Sequence, residues 1–123
     1  MKAYTDIEQS RKLAEILPLK SADMRFCFSR TLGGRITGHY PMIGREPSLG
    51  TIPCWSLAAL LNVIPKRIDE FNVLRIDIST SDFAIWYDEI GSGVNNDLPD
   101  ITSESAVDAC FEMIVRLYGL KML

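Results

Sequence analysis

The spacing of apolar residues changes several times along this chain, and each change marks a predicted element. Ile7, Leu13, Ala14 and Leu17 share one helical face, with Ile16 beside them, while Arg11, Lys12 and Glu15 fall elsewhere. Thr5 and Glu8 have the spacing of a capping box and Pro18 closes the run, so a helix is expected over residues 5–17. Met24 to Ser29 shifts to a period of two: Met24, Phe26 and Phe28 point one way, and Arg25, Cys27 and Ser29 the other. That is the pattern of a half-buried strand. Two continuations are open. The Gly33-Gly34 pair could turn the chain into a hairpin with Ile36 to Tyr40, or a long loop could run to Gly50.

Ile52 to Pro65 (IPCWSLAALLNVIP) is almost wholly apolar and bracketed by prolines. A short buried helix is predicted, with Pro53 in its first turn and Pro65 at its end. Small Ala58 and Ala59 would let a neighbour approach, and Trp55, Leu57, Leu60 and Leu61 would fill volume. Phe71–Ser79 places Leu74, Ile76 and Ile78 on one face of a strand. Phe83–Glu89 places Phe83, Ile85 and Tyr87 on one side, Ala84 and Trp86 on the other. Thr80-Ser81-Asp82 supplies a turn, so these two strands pair antiparallel. Gly91 to Pro99 is a polar, turn-rich loop. In the last helix Ser103 or Thr102 is the expected cap, and Val107, Cys110, Phe111, Ile114, Leu117 and Tyr118 form the apolar stripe. Gly119 suits a left-handed C-terminal cap. The expected architecture is α+β, a small, mainly antiparallel sheet of three or four strands with three helices packed on it.

At 123 residues, 47% of them hydrophobic, residues 1–123 suffice for one domain with its own core. Charges at Asp6, Glu8, Arg11, Lys12 and Glu15 leave no apolar region of a signal peptide, and no stretch reaches the length of a membrane helix. A cytoplasmic setting is expected. Cys27, Cys54 and Cys110 lie 27 and 56 residues apart without a CxxC pair, the pattern of reduced, buried thiols.

The net charge of −3 hides a division. From Arg11 to Arg67 there are nine basic residues and three acids; from Asp77 to Glu112 there are nine acids and no base. The acidic balance, and the lack of a basic helix or reading motif, argue against nucleic-acid binding. His39 is the sole histidine, which excludes a multi-histidine metal site. No glycine-rich phosphate motif is present, and nothing calls for a cofactor. A Cys/His dyad would require His39 to meet Cys27 or Cys54 in space. Asp77, Asp82, Asp88 and Glu89 read as solvated or turn carboxylates, and Ser56 as a first-turn helix residue. No catalytic set emerges.

Three segments are similar to a known family: SADM (Ser21–Met24), IPCWSLAALLNVIP (Ile52–Pro65) and VDACFEMI (Val107–Ile114), with the Tyr40-Pro41 pair beside them. The chain resembles short bacterial proteins of gut-dwelling anaerobes, often encoded near phage-like or mobile elements. No activity, ligand or catalytic residue is attached to that family, so the resemblance implies only a small bacterial protein. The residues themselves point to a non-catalytic interaction or accessory protein that self-associates or binds another protein. Tyr40, Phe83, Trp86 and Tyr87 are the aromatic anchors expected at such an interface. The alternative is a small-anion-binding domain or enzyme built on the 25–45 segment, with Arg30, Arg35, His39 and Arg45 supplying forked, charged hydrogen bonds.

Overall fold

Asp6 starts the first helix. Its carboxylate accepts from Gln9 N (2.8 Å), and the Gln9 side chain accepts from Asp6 N (3.1 Å), closing a capping box one residue later than Thr5–Glu8 would. The helix, α1, spans Ile7–Ile16. Thr5 is instead buried. The computed structural model describes residues 2–44, 51–90, 93–94 and 97–123, with the backbone alone for Gly93 and Val94.

After a short 3-10 turn at Leu19–Ser21, strand β1 (Met24–Arg30) pairs antiparallel with β2 (Ile36–Ile43), which decides for the hairpin over the long loop. Gly34, at φ +84°, takes the left-handed position in the turn. A bulge falls between Ser29 and Arg30. On its other side β1 pairs with β3 (Ile52–Cys54), giving a sheet of order β2-β1-β3.

The mid-chain segment is therefore not one helix. Ile52–Cys54 is strand, and helix α2 (Leu57–Val63) begins only after Ser56, whose Oγ accepts from Ala59 N. The expectation that Pro53 begins a helix fails because Pro53 lies opposite Arg25 in the sheet. Pro65 does follow the helix end, which is capped at Ile64. The segment is buried as expected: Cys54, Trp55, Leu60 and Ile64 are inaccessible or nearly so. Ala59 is buried too, but Ala58 faces out.

A second antiparallel sheet follows. Strands β4 (Asn72–Ile78) and β5 (Phe83–Glu89) form its hairpin, and β6 (Gly93–Val94) and β7 (Asp100–Ser103) share the far side of β5. The α+β architecture is as the sequence indicates, but the strands divide between two small sheets. Helix α3 (Ala106–Gly119) lies on β5 and β7, with α1 and α2 beside it. Its N-cap is Ser105, not Ser103 or Thr102: Ser105 Oγ accepts from Asp108 N (3.2 Å). Phe83, Ile85, Tyr87 and Ile101 from the sheet meet Val107, Cys110, Met113, Ile114 and Leu117 from α3 in one core with Leu13, Trp55 and Leu60. All the buried positions of β5 are thus on its helix-facing side. Ile76 and Ile78 share that face of the sheet by register but are exposed, since the helices do not reach the end of the edge strand.

The C-terminus also departs from expectation. Gly119 is still helical, and the left-handed residue is Lys121, at φ 59°. Met122 N donates to Leu117 O (2.9 Å) and Lys121 N to Tyr118 O (3.0 Å), the hydrogen-bond pair of a Schellman cap.

Candidate functional site

Alternation sorts the β1–β2 hairpin into two faces. Met24, Phe26 and Phe28 stand with Ile43, Pro41 and His39 on one; Arg25, Cys27 and Ser29 stand with Met42, Tyr40 and Gly38 on the other. The root of the first face is covered, for Phe26 is buried and meets the edges of Tyr4 (centroids 6.0 Å, 71°) and His39 (5.5 Å, 82°). Elsewhere the hairpin is open to solvent: Ile43, at its root opposite Met24, is 87% exposed and Tyr40 46%, and Ile36 and Met42 are exposed as well.

The four anion-site candidates fall as follows. Arg30, Arg35 and His39 are all exposed, and Arg45 lies outside the described residues. Arg30 Nη1 donates to Gly34 O (3.1 Å) and so braces its own turn. Thr31 N donates to Arg35 O (2.9 Å) and Gly34 N to Thr31 O (2.9 Å), closing the turn beside it. A small-anion site calls for a concave, dehydrated setting, and these side chains stand on a projecting hairpin.

The thiol alternatives are separated by geometry. Cys54 is opposite Met24 and His39 is opposite Phe28, four residues or ~13 Å further along β1. Cys54 Sγ is held by Thr5, accepting from its hydroxyl (3.7 Å) and donating to its carbonyl (3.5 Å). Burial raises the Cys54 pKa despite those contacts, and burial pushes Cys110 up to about 12, so both remain protonated. Thr5 is buried because its hydroxyl is the hub here: it pairs with Ser10 Oγ (2.7 Å) and accepts from Trp55 N (3.1 Å). Trp55 Nε1 donates to Ser21 Oγ (3.0 Å). Ser56 is held by Asp23, to which it donates through both its backbone N and its hydroxyl. This polar network satisfies buried donors and acceptors, which is structural work.

The interface candidates divide cleanly. Phe83 and Tyr87 belong to the core, contrary to expectation, because α3 covers the odd-numbered side of β5; the Tyr87 hydroxyl donates to Pro65 O (2.6 Å). Tyr40 and Trp86 are on uncovered sheet faces. Register places Trp86 between Arg75 of β4 and Asp100 of β7, with Asp77 and Asp88 on the same side. Arg75 Nε lies 3.5 Å from Asp88 Oδ2. The outer face of the second sheet is thus a half-buried indole among carboxylates, with one arginine committed to one of them. The sequence alternation of β5 separates Trp86 from Phe83 and Tyr87; which side the helices take is visible only once the fold is assembled.

A shallow, open depression where Asp97–Pro99 meets Arg116, Gly119 and Leu120 carries one acid and one base without a convergent set. Among the described residues no group of three or more His, Cys, Asp or Glu side chains is placed to hold a metal ion, and no helix is long and apolar enough to cross a membrane. Comparison of the chain with protein-family models, with curated proteins and with solved structures finds no match.

Proposed function

We propose that this chain is a non-catalytic interaction module, whose binding surfaces are the uncovered sheet faces that carry Tyr40 and Trp86. One observation carries the reading. The core of helices and second sheet closes without these two rings, yet both are held on paired strands. Aromatic side chains with apolar area and a polar handle are the usual anchors of protein contacts. Around Tyr40 the exposed Met42 and Ile36, at even positions of the same strand, add apolar area that the fold itself does not use. Cys54 and Cys110 are buried, and the half-exposed Cys27 stands on the opposite hairpin face from His39, which is engaged on Phe26, so these groups supply no reactive pair. The resemblance to small bacterial proteins fits an accessory role in a cytoplasmic setting and names no partner.

The anion-binding reading gains no support from the hairpin, where Arg30 braces a turn and Arg35 and His39 face solvent.

The test is a photo-reactive phenylalanine analogue at position 40, with a control at exposed Lys20 on the 3-10 turn. Light should crosslink the position-40 protein, to itself or to another protein, and leave the control uncrosslinked. Equal or absent crosslinking at both positions refutes an interaction surface on the hairpin.

A further inference from the structure

The two uncovered faces are opposite in charge. The hairpin face bears Tyr40 and Met42 beside Arg25, with Arg30 and Arg35 at the tip; between Met24 and Gly44 there is no acid. The outer face of the second sheet bears Trp86 with exposed Asp77 and Asp100, and its one arginine, Arg75, is paired with Asp88. Each is an antiparallel surface with one aromatic ring.

Resting on the interaction reading above, we propose that the partner is a second copy of this chain, and that the basic hairpin of each protomer lies across the acidic Trp86 face of the other. A two-fold arrangement makes this contact twice, so it is closed and isologous. A standard interface takes about 800 Å² per partner, roughly a tenth of the 7820 Å² this chain exposes. Since each protomer supplies both a hairpin and a sheet face, about 400 Å² from each face is enough. Charge complementarity sets which face meets which, because hairpin on hairpin would oppose arginines and sheet on sheet would oppose carboxylates. Tyr40 and Trp86 then sit inside the contact, where aromatic anchors dominate affinity.

Neither face offers a free strand edge for partner pairing along its whole length. The pairing pattern turns the donor-less side of Pro41 outward on β2, and residues 66–68 cover the start of β4, with Leu74 N donating to Lys66 O (2.9 Å) and Ile68 N to Asn72 O (3.1 Å). Face-to-face docking of side chains is the mode left.

The experiment is sedimentation velocity on the full chain across concentration and ionic strength, with two charge-reversed variants. One is R30E/R35E and the other D77K/D100K, all four at exposed positions, with circular dichroism to verify folding. The wild type should form a dimer that weakens as salt rises. Each variant alone should associate at least ~10-fold more weakly, through like charges now opposed in both contacts. An equimolar mixture of the two variants should restore the dimer, because every hairpin then meets a sheet of opposite charge. A wild type that stays monomeric to roughly 1 mM, variants that dimerise unchanged, or a mixture that stays monomeric overturns the proposal. Crosslinking from position 40 to a different protein, with the wild type monomeric, would sink self-docking while leaving the interaction reading intact.

Discussion

Trp55→Phe tests whether the mid-chain segment holds the fold together. Trp55 is wholly inaccessible, sits in the core with Leu13 and Leu60, and donates its indole N–H to Ser21 Oγ at 3.0 Å. Phenylalanine keeps one ring and loses two things. The missing hydrogen bond is worth about 1 kcal/mol net. The unfilled part of the indole site, comparable to one or two deleted methylenes, costs about 1–2 kcal/mol. Together the loss is about 2–3 kcal/mol, a large share of the 5–15 kcal/mol typical of a domain. For a chain of this size that lowers Tm by roughly 8–12 °C. Urea unfolding followed by far-ultraviolet circular dichroism measures it directly. Ser21→Ala removes the acceptor and leaves the indole N–H without it, costing about 1–2 kcal/mol. In the double variant the two losses should fall short of their sum by about 1 kcal/mol, the coupling of a direct contact. A Trp55→Phe protein within 0.5 kcal/mol of wild type, at an unchanged urea slope, would refute the argument, since no buried and bonded indole is removed so cheaply.

Lys121→Gly should stabilise the chain by about 0.5–1 kcal/mol, because it relieves the 1–2 kcal/mol strain of a left-handed L-residue at the price of extra unfolded-state entropy; thermal melting reads the gain, and a loss would count against the Schellman cap. A water-soluble thiol reagent should label Cys27 in the native protein, and Cys54 and Cys110 only on unfolding, with mass spectrometry counting the adducts; native labelling at Cys110 would contradict its burial. Lys2 donates to Asp108 (2.7 Å) and Asp6 (3.0 Å), and Gln9 Nε2 donates to the same Asp108 oxygen (2.8 Å). Burial works against the charged form of all three ionisable groups, but hydrogen bonds and charge outweigh it: the Gln9 N–H and Lys2 lower Asp6, Lys2 and the Gln9 side chain lower Asp108, and the two carboxylates raise the lysine. A lowered carboxylate pKa stabilises above its unfolded value near 4 and the benefit is lost as pH falls through the folded pKa; a raised lysine stabilises below its unfolded value near 10.5 and loses that benefit as pH climbs past its folded pKa. Lys2→Ala should therefore cost about 0.5 kcal/mol at pH 7, these groups being substantially exposed, and the difference should shrink below pH 4; a pH-independent difference would rule out the ion pair as its cause.

Where a periodicity was unbroken the sequence was legible. The final helix could be placed from Val107, Cys110, Ile114 and Leu117 alone, all of which are buried, and the hydrophobic alternation of β5 assigned Phe83, Ile85 and Tyr87 correctly to one side. What the alternation could not say is which side of a strand the helices would take. That decision is made by α3, more than a dozen residues away along the chain, so two of four aromatic anchors proved to be core. The caps slipped by one to three residues because neighbouring polar residues compete for the same role: Thr5 could cap α1, but it is drawn into the core by Ser10 and Trp55, and Asp6 takes its place. Likewise Gly119 has the chemistry for the left-handed position, but the helix runs through it, two residues past the buried Leu117, and the left-handed residue is Lys121.

The prolines show how one local rule admits two folds. Pro53 suits a helix start because it has no N–H to leave unpaired, and it suits β3 for the same reason. The hydrogen bond from Gly44 N to Asp23 O fixes the phase of the β1–β2 ladder, which turns the even residues of β1 toward β3 and makes Arg25↔Pro53 a non-hydrogen-bonded pair. The same phase makes Phe26↔Pro41 non-hydrogen-bonded, so each proline presents its missing donor to the outside of the sheet. Composition alone could not separate helix start from strand edge; only the pairing partner does, and that partner is Arg25. The consequence reaches the surface. A sheet whose two outer strands each lack a donor at mid-edge is a poor template for another chain to extend, so the proposed contact at this sheet falls to the side-chain face that carries Tyr40.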